Sequence, residues 1–223
     1  MKRTLIIALI FIILTGCSGN HVTSNSEPKS KVKNTYVTLS PSKERFFVNS
    51  NEGWKAAYTP KGMFSEEMIL YKTKDGGKTW TEIADSKNKE STLPGGDKIG
   101  MSFVSLAKGW ITVDTPWQGI VGLYMTSDGG VTWSQQKPHV PDEYQNSELH
   151  TVPPLFFSAL KGVLLSFASE DNKRIPIFYI THDGGESWTP FTNKERGIFD
   201  GITCSIKSGT PEDIYEVAYE NST

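Results

Sequence analysis

Three carboxylates recur in one setting: Asp75, Asp128 and Asp183, spaced 53 and 55 residues apart. Each lies two residues after a threonine and just before two glycines, with a hydroxyl side chain and a tryptophan beyond them. Carboxylates at fixed positions could serve acid–base chemistry or hold a metal ion. Their neighbours argue for another role. Asp-Gly between two apolar runs signals a tight hairpin turn. Glycine adopts the positive φ of such turns, where a Cβ costs about 1–2 kcal/mol. The Asp carboxylate and the Thr or Ser hydroxyl can accept hydrogen bonds from turn N–H groups. The tryptophan then opens the next strand with a large apolar surface. Every one of these roles is structural.

Other reactive groups are sparse. His21, His139, His150 and His182 show no metal-ligand spacing. No nucleophile elbow, phosphate loop or dinucleotide pattern occurs, and neither a metal nor a cofactor is expected. Glu66-Glu67 and Asp142-Glu143 read as loop charges, and the sequence cannot place two carboxylates about 5–10 Å apart across a cleft, as a glycosidase requires. Cys204 falls in an apolar strand pattern and reads as a small buried hydrophobe. Without Lys2 and Arg3, 21 basic residues face 25 acidic ones, a net charge of −4. Beyond Lys29, Lys31 and Lys33 there is no basic run, so nucleic-acid binding has no electrostatic footprint.

The repeated stretch is Thr-x-Asp-Gly-Gly-x-(Thr/Ser)-Trp. Its copies are Thr73, Asp75, Gly76, Gly77, Thr79 and Trp80, then Thr126, Asp128, Gly129, Gly130, Thr132 and Trp133, then Thr181, Asp183, Gly184, Gly185, Ser187 and Trp188. It resembles the Asp-box, or BNR repeat, of sialidases, sortilin-type receptors and photosystem II assembly and stability factors. The resemblance spans roughly residues 45 to 219. In those families the box closes the outer hairpin of a β-propeller blade, away from any active site. The resemblance therefore implies a fold and leaves function open.

A second motif precedes each box: Phe47 to Trp54, Phe103 to Trp110 and Phe156 to Val163, each a strand end, a turn closing on glycine and a new strand. Four short antiparallel strands per unit of about 40–50 residues make a propeller blade. No segment has helical periodicity. The expected fold is all-β: three complete box blades and a partial fourth, Ile202 to Lys207 and Ile214 to Tyr219. Tyr36 to Leu39 adds one unassigned strand. A closed ring is thus incomplete by this count. The fourth blade is short and irregular, or the ring is open and needs a partner, or the chain is a truncated form of a longer protein.

At the N-terminus, Lys2 and Arg3 precede the apolar run Leu5 to Leu14, the layout of a signal peptide over residues 1–16. The run ends in Leu14-Thr15-Gly16-Cys17, which resembles a bacterial lipobox. That resemblance implies a lipid on Cys17 and a membrane-anchored protein facing outside the cytoplasm. The alternative is an ordinary signal peptide with an incidental cysteine. Residues 17–34 are polar and read as a tether, and 35–223 form the propeller domain.

Strands that run up and down put the box turns and the glycine turns on one face and the longer connections on the other. Those connections offer Phe64, Trp117, Tyr144, Arg174 and Arg196 as a binding face. An aromatic mixed with charge suits a protein or a glycan. A sialidase would be the enzyme expected from the family resemblance, with an Arg-Ile-Pro motif ahead of its first box and three arginines converging on a carboxylate. Here Arg174-Ile175-Pro176 precedes the third box, and only Arg45, Arg174 and Arg196 remain after the signal segment. The expectation is a non-enzymatic, envelope-anchored module with an assembly, scaffolding or recognition role and a protein partner. The alternative is a surface glycan-binding or glycan-hydrolysing protein.

Overall fold

The computed structural model describes residues 44–62, 65–170, 173–192, 198–199, 202–207 and 214–219, the backbone course alone at 173 and beyond 190. The expected four-strand units form. The first sheet has the order β1 (Arg45–Phe47), β2 (Gly53–Gly62), β3 (Ser65–Thr73), β4 (Thr81–Asp85). The second follows as β5 (Asp97–Phe103), β6 (Gly109–Asp114), β7 (Leu123–Thr126), β8 (Ser134–Gln136). The third is β9 (Leu149–Phe156), β10 (Gly162–Glu170), β11 (Lys173–Thr181), β12 (Thr189–Thr192). β13 (Ile198–Phe199), β14 (Ile202–Lys207) and β15 (Ile214–Tyr219) make a shorter fourth sheet. Within each sheet, every strand pairs antiparallel with its sequence neighbour. The first strand of the second blade, β5, packs against β1 on one side and β9 on the other, so the first strands are innermost. These sheets are propeller blades, and among the described residues they do not close a ring.

Period-two alternation explains the packing. Trp54, Met68 and Leu70 of the first blade meet Met101, Phe103, Ile111 and Trp133 of the second in one buried cluster. Trp110 and Leu123 of the second meet Leu164, Ile177, Tyr179 and Trp188 of the third in another. Val163, Leu165, Phe178 and Ile180 point to the opposite face of the third sheet and are buried there too. Burial on both faces is why Gly162 to Ala168 is buried without a break.

The connections differ from the sequence expectation. Two of the expected longer connections, Pro60 to Glu67 and Glu170 to Pro176, are not loops. Both are strand hairpins, with Pro60 opposite Glu66 and Glu170 opposite Lys173. Pro176 lies opposite Phe167 in the β10–β11 ladder and one residue outside the β11–β12 ladder, so on the β12 side its missing N–H breaks no bond. The stretch ending at Pro153 also shortens, because β9 starts at Leu149 and carries Pro153 and Pro154. A register shift opposite those prolines, between Val163 and Leu165, accommodates them. Among the described residues, the second blade alone keeps a substantial connection between its second and third strands, residues 115–122.

Candidate binding site

The box turns are tied down in the same way three times. Thr73 Oγ1 donates to Asp75 Oδ1 at 2.8 Å and accepts the Gly77 N–H at 3.0 Å. The Thr79 N–H and hydroxyl then reach the same carboxylate, at 2.9 and 2.6 Å. Thr126, Asp128, Gly130 and Thr132 repeat the set, as do Thr181, Asp183, Gly185 and Ser187. The glycines at 129 and 130 sit at φ 77 and 101. The N–H of the first glycine in each box donates to the neighbouring glycine turn, at Asn51, Ala107 and Leu160 carbonyls. Both turn types therefore share one face.

These bonds account for the carboxylates. The Thr79 hydroxyl, its N–H and then Thr73 pull Asp75 down to about 2. At Asp128 and Asp183 partial burial pushes upward, but the hydroxyl and N–H donors outweigh it and both also fall to about 2. An ionised carboxylate whose oxygens already accept several hydrogen bonds is a poor proton shuttle. Among the described residues, no cluster of His, Cys, Asp and Glu could hold a metal ion.

The opposite face carries Trp117, which is 67% exposed. Its loop is pinned. The Gly119 N–H donates to the Ser147 carbonyl at 3.0 Å. A Cβ on Gly119, at φ +66, would lie 2.4 Å from the Gln145 carbonyl oxygen. Only glycine lets the two loops touch there. The Thr115 hydroxyl donates to the Trp117 carbonyl at 3.2 Å and closes the turn on itself. The indole thus stands out from a backbone that is already fixed.

The other proposed contact residues separate. Tyr144 is 5% exposed and packs with Val121, Val140 and Leu149, so it is not a surface contact. It ends a 3-10 turn, Asp142–Tyr144, that turns its ring inward and leaves Asp142 and Glu143 in solvent. Burial, then the charges of Glu143 and Glu170, raises its phenol pKa. Arg174 lies on β11 rather than in a loop, exposed, with its guanidinium 5.9 Å from the Phe167 ring centre. Phe64, Arg196 and Cys17 lie outside the described residues.

Sequence spacing gave no sign of a polar pocket beside the Trp117 loop. Asp114, Thr115, Pro116, Glu148, His150 and Ser169 line a cavity of about 190 Å³. His150 Nδ1 and Asp114 Oδ1 are 2.8 Å apart across the second and third blades. The two residues are 36 positions apart in the chain, and only blade packing joins them. Lys98 was missed as well: its ammonium is buried and donates to the Glu66 and Gly96 carbonyls at 2.7 and 3.0 Å.

A family model described as BNR/Asp-box repeat matches residues 179–190, the third box. The chain carries Asp-box repeats. The first and second boxes reproduce the hydrogen bonds of the matched one. No curated protein matches the sequence. Among solved structures, the chain is similar to YCF48 bound to D1 peptide, at 11% identity and a TM-score of 0.25. The alignment covers 85% of this chain and 97% of that one.

Proposed function

We propose that this is an exported, lipid-anchored Asp-box propeller that binds a protein partner at the cell envelope through its loop face, without catalysis. One observation carries the binding reading. Trp117 exposes two thirds of its surface on a loop held by Gly119 and Ser147. A rigid, exposed indole loses little entropy on contact and is the side-chain type that dominates interface energies. Anchoring rests on the lipobox-like Leu14 to Cys17. The non-catalytic reading is supported by the three box carboxylates, which are committed to turn hydrogen bonds. Arg45 and Arg174, moreover, lie on different sheets.

The alternative, a glycan-binding or glycan-hydrolysing surface protein, draws on the same Trp117 and on Asp114 and Glu148 in the adjoining pocket. One experiment separates the two. Wild-type and Trp117→Ala proteins are used to capture partners from solubilised membranes and are assayed on a glycoside panel. The proposal expects a captured protein whose affinity falls by about 2 kcal/mol or more in the variant, the hot-spot scale, at unchanged melting temperature. Glycoside turnover, or equal capture by both proteins, refutes it.

A further inference from the structure

The innermost strands β1, β5 and β9 end in Phe47, Phe103 and Phe156. The residue before each is Phe46, Ser102 and Leu155, paired across its blade with Trp54, Trp110 and Val163. Ser102 is therefore small where its two counterparts are large. Cross-strand partners share one face of a sheet, so Ser102 points the same way as Trp110. That is toward the third blade, where Trp110 stacks on Phe156 with ring centres 4.7 Å apart. A cavity of about 350 Å³ opens on this side, between the ends of β5 and β9. Phe46, Phe103, Val104, Leu155, Phe156 and Phe157 give it apolar walls.

One polar atom is left over in those walls. Ser102 is only 8% exposed, and its Oγ is buried with no hydrogen-bond partner among the described residues. A buried hydroxyl without a partner is costly, and a guest that pairs with it removes the cost. No charged residue lines the cavity, so a charged guest would lose its water without compensation. A cavity of about 150 Å³ with similar walls already holds a benzene ring, so there is room for an aromatic side chain. The cavity reaches the glycine-turn residues Val104, Ser158 and Ala159, which places it at the box face. On that face Phe47, Leu106, Val131 and Leu160 are exposed, at 41, 42, 52 and 58%. Large apolar groups exposed around a pocket mark a protein interface.

We propose that this cavity is a second binding site, on the face opposite Trp117, and that it takes the tyrosine side chain of a protein partner. The ring packs against Leu155 and Phe156. The phenol O–H pairs with Ser102 Oγ, since each hydroxyl can donate and accept. The site does not depend on the loop-face contact, and with one site on each face the propeller can bridge two partners.

The test titrates N-acetyltyrosinamide, N-acetylphenylalaninamide and p-cresol into the full chain, read by calorimetry and amide chemical shifts. The tyrosine amide binds about five- to tenfold more tightly than the phenylalanine amide, the contribution of one hydrogen bond. Shift changes gather at residues 102–104 and 154–159. Ser102→Ala makes the two amides equal. Ser102→Leu restores the bulk of the other blades and abolishes binding without lowering Tm. No binding, equal affinities in the wild type, or shifts gathered at the Trp117 loop overturn the proposal. So does undiminished binding by Ser102→Leu, or a fall in its Tm, which would show the cavity closed. Binding of p-cresol but of neither amide assigns the pocket to a free phenol and overturns it as well.

Discussion

The ring of Trp54 lies flat on the ring of Phe103, 3.6 Å between centres and 2° between planes. The first residue comes from the second strand of one blade and the other from the first strand of the next. The Trp54 N–H also donates to the Gly129 carbonyl at 2.8 Å, inside the box of that next blade. At the following junction Gln136 intervenes, accepting from Trp110 at 3.0 Å and donating to the Gly185 carbonyl at 2.7 Å. The box therefore serves twice, as a turn within its blade and as a socket between blades.

Trp54→Ala and Trp110→Ala should each destabilise the protein by about 3–5 kcal/mol, since both indoles are wholly buried and little can collapse into the space. Denaturant unfolding measures this. Losses below about 1 kcal/mol would contradict the socket role.

Acid should loosen the boxes. Asp75, Asp128 and Asp183 are held at about 2 in the folded state, below the ordinary carboxylate value of about 4. A depressed pKa contributes stability above the unfolded value and loses it as pH falls through the folded one. Unfolding midpoints should hold steady above about pH 5 and drop between about 4 and 2. A protein as stable at pH 2.5 as at pH 7 would refute this.

Gly185→Ala should cost far more than Gly62→Ala, although both glycines have positive φ, 82 and 112. The new methyl at 185 meets Trp110, whereas at 62 nothing lies within 4 Å. Strain of about 1–2 kcal/mol is common to both, and overpacking adds about 1–3 kcal/mol at 185. Equal melting temperatures for the two variants would show that the socket gives way freely.

Cys17→Ser should move the protein out of the membrane fraction or leave an unprocessed precursor. Fractionation and mass measurement read the outcome. A processed serine form that stays in the membrane would remove the basis for the lipid anchor.

The repeat and the strand order could be read from the chain because turns are local. Thr, Asp, two glycines and a hydroxyl satisfy one another within eight residues, and the same spacing gives the same bonds at 73, 126 and 181. The length of the connections was not legible, since how far a hairpin extends, and whether a strand can hold a proline, depends on which side of it is paired. Tyr144 misled for a related reason. Acidic neighbours and a loop position suggested exposure, but Val121 and Leu149, remote in sequence, bury its ring. For Trp117 the sequence named an aromatic between Pro116 and Gly119, and the contact with residues 145–147 decided that it points into solvent.

By itself the sequence determined the blades, because hairpins depend on residues near one another in the chain. Which aromatics stack and which carboxylate meets His150 were decided by tertiary structure. Those relations depend on how one twisted sheet lies on the next, and burial across that junction is summed over residues tens of positions apart.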